Sequence, residues 1–436
     1  MKMQDTLNKL ISGELKNTDK LKLSCNLDKL PNEVFSLADT LEVLDLSNNN
    51  FSELPEDFEC LQNLKILFLS ENKFKLFPKI LSKCKNLDII GFKSNEISYL
   101  EEECLPPNLR WLILTNNKIS NLPKSIGNCK NLQKLMLAGN YLTTLPDTMI
   151  HCKNLELLRI SANRLNELPN WIFDLPKLSW LAFASNPCLP KLENTRQVTK
   201  YVFQDFKLEK LIGEGASGSI YEVKTANTNN PHVAVKIFKG EITSDGFPED
   251  EMSACLQAGI HPNLTNVLGE FRDKDKQGLV LELISENYKK LGYPPNFDTC
   301  TRDTFPENIS FSIPKILQIL LSISAAMTHL HQHGILHGDL YAHNILVEDT
   351  NFHTILGDFG AATIYFGNFS QNFNFEKLEV RAFGNLMDDL LTRVPKDIAY
   401  FEIYKILIQL KDECINQSIL ERPNFIEVNN RLKKLI

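Results

Sequence analysis

Between residues 41 and 177 apolar positions recur in a fixed register, LxxLxLxxNxLxxLP with variations. The copies are 41–63, 64–86, 87–108, 109–131, 132–154 and 155–177. Asn49, Asn72, Asn95, Asn117, Asn140, Asn163 and Asn186 mark the register, at intervals of 23 residues with one of 22. A unit this short cannot bury its own apolar face, so stacked copies are expected. Each should place a short strand, such as Leu44-Asp45-Leu46, on an inner curve. The Asn should turn inward, where its amide can bond backbone groups that the bending chain leaves unpaired. Leu-Pro pairs at 54–55, 122–123, 145–146 and 168–169 start the return segment. Leu21 to Pro31 reads as a degenerate copy, residues 1–20 as a helical cap and Leu178 to Pro190 as a truncated last copy.

The period then stops. Residues 191–205 are polar with scattered apolar positions and read as a linker. From Phe206 a strand, Lys207 to Ile212, runs into Gly213-Glu214-Gly215-Ala216-Ser217-Gly218, and Ser219 to Val223 reads as a second strand. Glycines at these positions let backbone N–H groups approach phosphates. A dinucleotide site has this spacing too, but wants a helix directly after it. A β-branched and aromatic strand follows here, which favours a hairpin over ATP. Val233 to Phe238 brings Lys236 into an apolar strand, and Pro248 opens a helix with Glu249, Asp250 and Glu251 in its first turn. Glu251 is the acid expected to reach Lys236, with Glu249 the alternative. The strand Leu279 to Ile284 follows, with Glu282 and Ile284 expected to offer backbone hydrogen bonds to an adenine base.

Further along stand His337-Gly338-Asp339-Leu340-Tyr341-Ala342-His343-Asn344 and Asp358-Phe359-Gly360. Phosphoryl transfer needs a carboxylate at the attacking hydroxyl, and an Asn and an Asp to hold magnesium against the phosphates. Asp339, Asn344 and Asp358 supply that set at catalytic-loop spacing.

Composition narrows the picture without deciding it. Apolar content of 43% and charged content of 23% are ordinary for a globular protein, and 436 residues predict more than one domain. With 47 basic and 54 acidic residues, a net charge of −7 offers no argument for nucleic acid or an anionic membrane. Ile316 to Ile323 is too short an apolar run to span a membrane. Met1 to Leu10 lacks the apolar region of a Sec signal; routes that read other signals stay open. Of the ten cysteines, Cys84, Cys129 and Cys152 share one repeat position, which suits small buried core residues. A reducing, cytoplasmic setting is expected.

The first half is identified as leucine-rich repeats by its period. Residues 206–436 resemble the eukaryotic-type protein kinase family, through Gly213-x-Gly215-x-x-Gly218, Ala234-Val235-Lys236, His337-Gly338-Asp339-x4-Asn344, Asp358-Phe359-Gly360 and Arg422. The expected architecture is therefore multidomain. An α/β solenoid at 1–190 and a linker at 191–205 precede a two-lobed α+β kinase-like domain at 206–436. The resemblance implies ATP and Mg2+, with Asp339 as base, Lys236 and Glu251 as the phosphate-positioning pair, and Asn344 and Asp358 on the metal. Serine or threonine is the expected acceptor. Three departures stand out: Gly338 where the family usually has Arg, Tyr341 where its serine/threonine members usually have Lys, and no Ala-Pro-Glu. The activation segment must be short, its phosphorylation should not be required, and Arg422 lacks its usual Glu, for which Glu376 and Glu379 are the candidate substitutes. Small-molecule phosphotransferases and a non-catalytic, kinase-shaped scaffold are the alternatives. Finally, the repeat register puts Phe68, Ile89, Trp111, Ile113 and Met136 on the concave face. An exposed apolar strip there predicts a protein partner.

Overall fold

The computed structural model describes residues 2–190, 198–215, 217–225, 232–239, 242–273, 276–365, 372–395 and 400–436. The chain divides into two compact units, Met1–Leu175 with Asn186–Cys188, and Pro176–Ser185 with Leu189–Ile436.

The first unit opens with helix α1 (Lys2–Ile11), whose Leu7 and Leu10 are buried. Strands β1 (Lys20–Lys22), β2 (Val43–Asp45), β3 (Ile66–Phe68), β4 (Ile89–Gly91), β5 (Trp111–Ile113), β6 (Lys134–Met136) and β7 (Leu157–Arg159) pair in parallel, in chain order. The strands are only three residues long because the chain must turn back within each repeat. Pro55, Pro123, Pro146 and Pro169 each precede a 3-10 turn on the return side, in extended backbone that starts the turn without needing an N–H. The central residue of every strand is buried, and so is the Asn ladder. Asn117 shows its use: Nδ2 donates to Phe92 O at 2.8 Å and Leu114 O at 3.1 Å, while Oδ1 accepts from Ile97 N at 3.0 Å. One amide thus ties the backbone of two successive repeats. Cys84, Cys129 and Cys152 are buried, and desolvation pushes their thiols up to about 11, 12 and 11, so they stay neutral core residues.

The apolar strip of the concave face is not the exposed band expected from alternation. Ile89 and Met136 are buried, and Phe68, Trp111 and Ile113 are only partly open. The reason is local. Ile89 lies in register between Ile66 and Trp111. Phe68 occupies the space above Gly91, where a Cβ would come within 2.7 Å of its ring. Lys134 Nζ sits 4.1 Å from the centre of the Trp111 ring.

The second unit contains β8 (Trp180–Ala182) and a six-stranded sheet. Its strands are β9 (Thr199–Tyr201), β10 (Phe206–Glu214), β11 (Gly218–Thr225), β12 (His232–Phe238), β13 (Val267–Asp273) and β14 (Lys276–Glu282), in the spatial order β10-β11-β12-β14-β13-β9. Within the stretch read as a linker, residues 191–197 lie outside the described residues, and β9 pairs in parallel with β13. Phe206, Val223, Val233, Val235, Phe271 and Val280 form the core of this sheet, beside which α2 (Pro248–Ala258) runs. Short strands β15 (Tyr288–Lys290), β16 (Ile335–Leu336), β17 (Ile345–Glu348), β18 (Thr354–Leu356) and β19 (Thr363–Ile364) frame the loops that carry the polar motifs. Helices α3 (Ile313–Gln332), α4 (Asn372–Leu391), α5 (Phe401–Cys414) and α6 (Phe425–Lys433) complete the lower lobe, α3 against α6 and α4 against α5. The sequence reading found no apolar run long enough for a membrane. Helix α3 does have the length and composition, because scattered polar residues do not interrupt it as a helix, but 67% of its apolar window is buried inside the fold.

Candidate active site

Lys236 stands in the middle of the sheet, where β12 pairs with β11 on one side and β14 on the other. Its ammonium is ion-paired with Glu251 of α2, both side chains being buried. Glu249 instead accepts a hydrogen bond from Gln277 Nε2 at 2.8 Å. Helical spacing explains the choice, since residues 249 and 251 leave a helix on different faces. The carboxylate of Asp358 lies 3.9 Å from Lys236 Nζ. Burial opposes all these charges. It pushes the Glu251 carboxyl up to about 7, against the pull of Lys236. Glu251 and Asp358 outweigh the same desolvation at Lys236 and hold its ammonium above the usual range. Asp358 is desolvated too, yet the Lys236 charge and the Gly360 N–H, at 3.2 Å, hold its carboxyl below the usual range.

Asp358 adopts φ 56°, a left-handed conformation costly for a non-glycine residue and frequent at functional sites. Next to it Phe359 is buried, its ring 5.1 Å from that of His337. His337 Nδ1 accepts from Asp339 N at 3.3 Å, so the ring proton lies on Nε2, which donates to Gly357 O at 3.0 Å. Asn344 Nδ2 donates to Asp339 Oδ2 at 2.9 Å and Asp339 O at 3.0 Å, closing the five-residue loop on itself. With Nδ2 committed, Oδ1 is the Asn344 atom suited to a hard cation.

The glycine-rich turn is a hairpin: Gly215 N donates to Gly218 O at 2.9 Å, Lys239 N donates to Ser217 O at 3.0 Å, and Glu214 is ion-paired with Lys239. Gly213 and Glu214 end β10 and Gly218 begins β11, while Ala216 lies outside the described residues. Glu282 ends β14 and its N–H donates to Asn266 O at 3.0 Å; Ile284 follows, partly buried.

Sequence reasoning missed much of what holds the loop. Gly338 has φ 72°, and a Cβ there would come within 2.5 Å of Ala361 O and 2.9 Å of Leu181 O. Its N–H donates to Glu379 Oε1 at 2.6 Å. Both the backbone shape and the space exclude the usual Arg. Tyr341 is buried against Trp180, with rings 4.4 Å apart and nearly parallel at 9°. Asp303 accepts from His343 N at 2.9 Å and meets His343 Nδ1 at 2.7 Å. Burial pulls the His343 ring down, but Asp303, with Asp339 and Asp358, raises it. Arg302 donates to Asp389 at 2.6 Å and Asp388 at 3.2 Å on α4. Neither Glu376 nor Glu379 replaces the missing partner of Arg422. Glu376 accepts from Tyr365 Oη at 3.1 Å, Glu379 serves Gly338 and His331, and Arg422 bonds the carbonyls of Lys377 at 3.1 Å and Asn416 at 2.9 Å. In the short segment after Asp358, Thr363 and Tyr365 are buried; Ser370 lies outside the described residues.

Comparison with known proteins agrees with this geometry. The protein kinase domain model matches residues 206–375, and the leucine rich repeat model matches 16–74, 107–165 and 130–188. The tyrosine-protein kinase receptor TYRO3 of Gallus gallus is 28% identical over 243 residues, covering 53% of this chain and 27% of that protein. The probable serine/threonine-protein kinase gdt4 of Dictyostelium discoideum is 30% identical over 166 residues, 37% of this chain and 9% of that protein. The Aurora/IPL1-related protein kinase 2 of Caenorhabditis elegans is 29% identical over 166 residues, 37% of this chain and 49% of that protein. The chain therefore spans under half the length of each of these relatives. Among solved structures, an LRR protein of Leptospira interrogans is 31% identical, with TM-score 0.34, covering 40% of this chain and 50% of that one. The chain is a set of leucine-rich repeats followed by a protein kinase domain.

Proposed function

We propose that the chain is an ATP- and magnesium-dependent protein kinase that phosphorylates serine or threonine and uses its repeats to recognise a protein. The observation that carries this reading is the convergence of the Lys236–Glu251 pair on Asp358, with Asn344 fastened to Asp339. Lys236 would position the α- and β-phosphates, and the hairpin 213–218 would cover them with backbone N–H groups. Asp339 would accept the proton of the attacking hydroxyl. Asp358, held ionised, and Asn344 through Oδ1 would hold the magnesium, which when bound neutralises charge on the phosphate oxygens. Glu282 and Ile284 are the backbone we assign to adenine. His343 would supply the positive charge that Tyr341 does not. With Thr363 and Tyr365 buried and no Arg at 338, activity would not depend on phosphorylating them. Phe68, Trp111 and Ile113 are the parts of the concave face we assign to a protein partner. Ten free thiols, seven of them buried, suit a reducing compartment such as the cytoplasm.

The assignment is tested by transfer from γ-labelled ATP to myelin basic protein, followed by phosphoamino-acid analysis. Lys236→Met should lower kcat/KM by roughly 100-fold or more, because a buried phosphate-positioning charge is lost. Transfer at the same rate by Lys236→Met and the parent chain would remove Lys236 from the site. Label on tyrosine alone would reverse the acceptor assignment.

A further inference from the structure

The segment Pro176–Ser185 continues the repeat pattern by sequence but packs as part of the kinase unit. Its contacts concentrate on the catalytic loop. The Trp180 ring stacks on Tyr341 at 4.4 Å, and its Nε1 donates to Leu340 O at 3.1 Å. The carbonyl oxygen of Leu181 closes the space beside Gly338, at 2.9 Å from a Cβ built there. Phe183 N donates to Thr363 Oγ1 at 3.2 Å in β19, and its ring stacks on Phe375 of α4 at 5.0 Å. Arg422 Nη2 donates to Pro176 O at 3.4 Å. The segment therefore touches the loop on either side of Asp339, the strand after Asp358, and α4.

We propose that Pro176–Ser185 is a working part of the kinase unit, with Trp180 the positioning residue that fixes Leu340 and Tyr341 and, through them, Asp339. The catalytic consequence rests on the phosphoryl-transfer reading; the support of the loop does not. The loop has neither an Arg at 338 nor a Lys at 341 to tether it by charge. A buried indole replaces them with two directional restraints: an offset ring stack and a hydrogen bond to the backbone one residue after the base. The row of rings continues from Tyr341 to His343 at 5.1 Å, which Asp303 anchors. A base displaced by about 1 Å loses on the order of 100-fold in rate, so such restraints govern turnover without touching substrate.

The test uses the full chain with Trp180→Ala and Trp180→Phe, read by hydrogen exchange at the amides of residues 338–344 and by transfer kinetics. Trp180→Ala should speed exchange of those amides about tenfold or more. It should lower kcat about 10- to 100-fold while the KM for magnesium-ATP moves less than about twofold, since Trp180 is not among the residues assigned to the nucleotide. Trp180→Phe, which keeps a ring and loses the N–H, should fall between. Unchanged loop exchange in Trp180→Ala overturns the proposal. So does unchanged kcat, in a chain that transfers phosphate. If the parent chain transfers none, the phosphoryl-transfer reading fails alone, and exchange still decides the support role. If Trp180→Ala does not fold, Trp180→Phe decides: faster exchange confined to the loop bears the proposal out, and parent-like exchange overturns it.

Discussion

At the scale of single residues, the loop is built from replacements that compensate one another. Gly338 is glycine because its backbone is left-handed and two carbonyl oxygens crowd the place of its Cβ. His343 is the ring that Asp303 holds in the loop. Burial pulls it down, but the Asp303 bond and the charges of Asp303, Asp339 and Asp358 together raise it above its ordinary 6.5. A raised histidine contributes stability that is complete below the unfolded value of about 6.5 and is lost as pH climbs through the higher folded value. Asp303→Asn removes the largest raising influence. The His343 resonance should then titrate lower by NMR, and the stability that the parent gains as pH falls through the folded value to below about 6.5 should shrink. A His343 titration indifferent to Asp303→Asn would show that some other group sets its charge. The Glu251 carboxyl is likewise raised, here by burial itself, against the pull of Lys236.

At the scale of elements, the repeats were legible because each depends on local spacing. The Asn ladder, the Leu-Pro starts and the buried cysteines follow from one register, and a wrong register would bury the wrong face. Exposure was not legible from alternation, because it depends on neighbours across the sheet: Phe68 settles over Gly91, and Lys134 covers Trp111. The ladder has a measurable worth. Asn117→Ala strands the buried N–H of Ile97, while Phe92 O and Leu114 O keep the amides of Asn95 and Asn140. A stranded buried group costs about 1–3 kcal/mol, so the repeat unit should lose roughly 1–3 kcal/mol in urea unfolding followed by circular dichroism. A loss below about 0.5 kcal/mol would mean that water or relaxed backbone replaces the amide.

At the scale of the whole molecule, the kinase motifs were legible because their chemistry is set by short spacings: five residues from Asp339 to Asn344, and a glycine-rich turn before a lysine strand. What supports those motifs was not. Trp180 reaches Leu340 across 160 residues and His343 reaches Asp303 across 40, and no periodicity encodes such pairs. The boundary at the last repeat was hidden for the same reason, since residues 176–185 obey the repeat pattern while packing with the kinase unit. The account stands or falls on Asp339 as the base of a phosphoryl transfer. The decisive measurement compares the parent chain with Asp339→Asn for transfer from γ-labelled ATP at saturating magnesium, beside calorimetric titration of magnesium-ATP. The account predicts transfer by the parent, a loss of about 100- to 10,000-fold in Asp339→Asn, and nucleotide affinities within about twofold of each other. Equal transfer by the two chains, or none by a parent that binds the nucleotide, would contradict it.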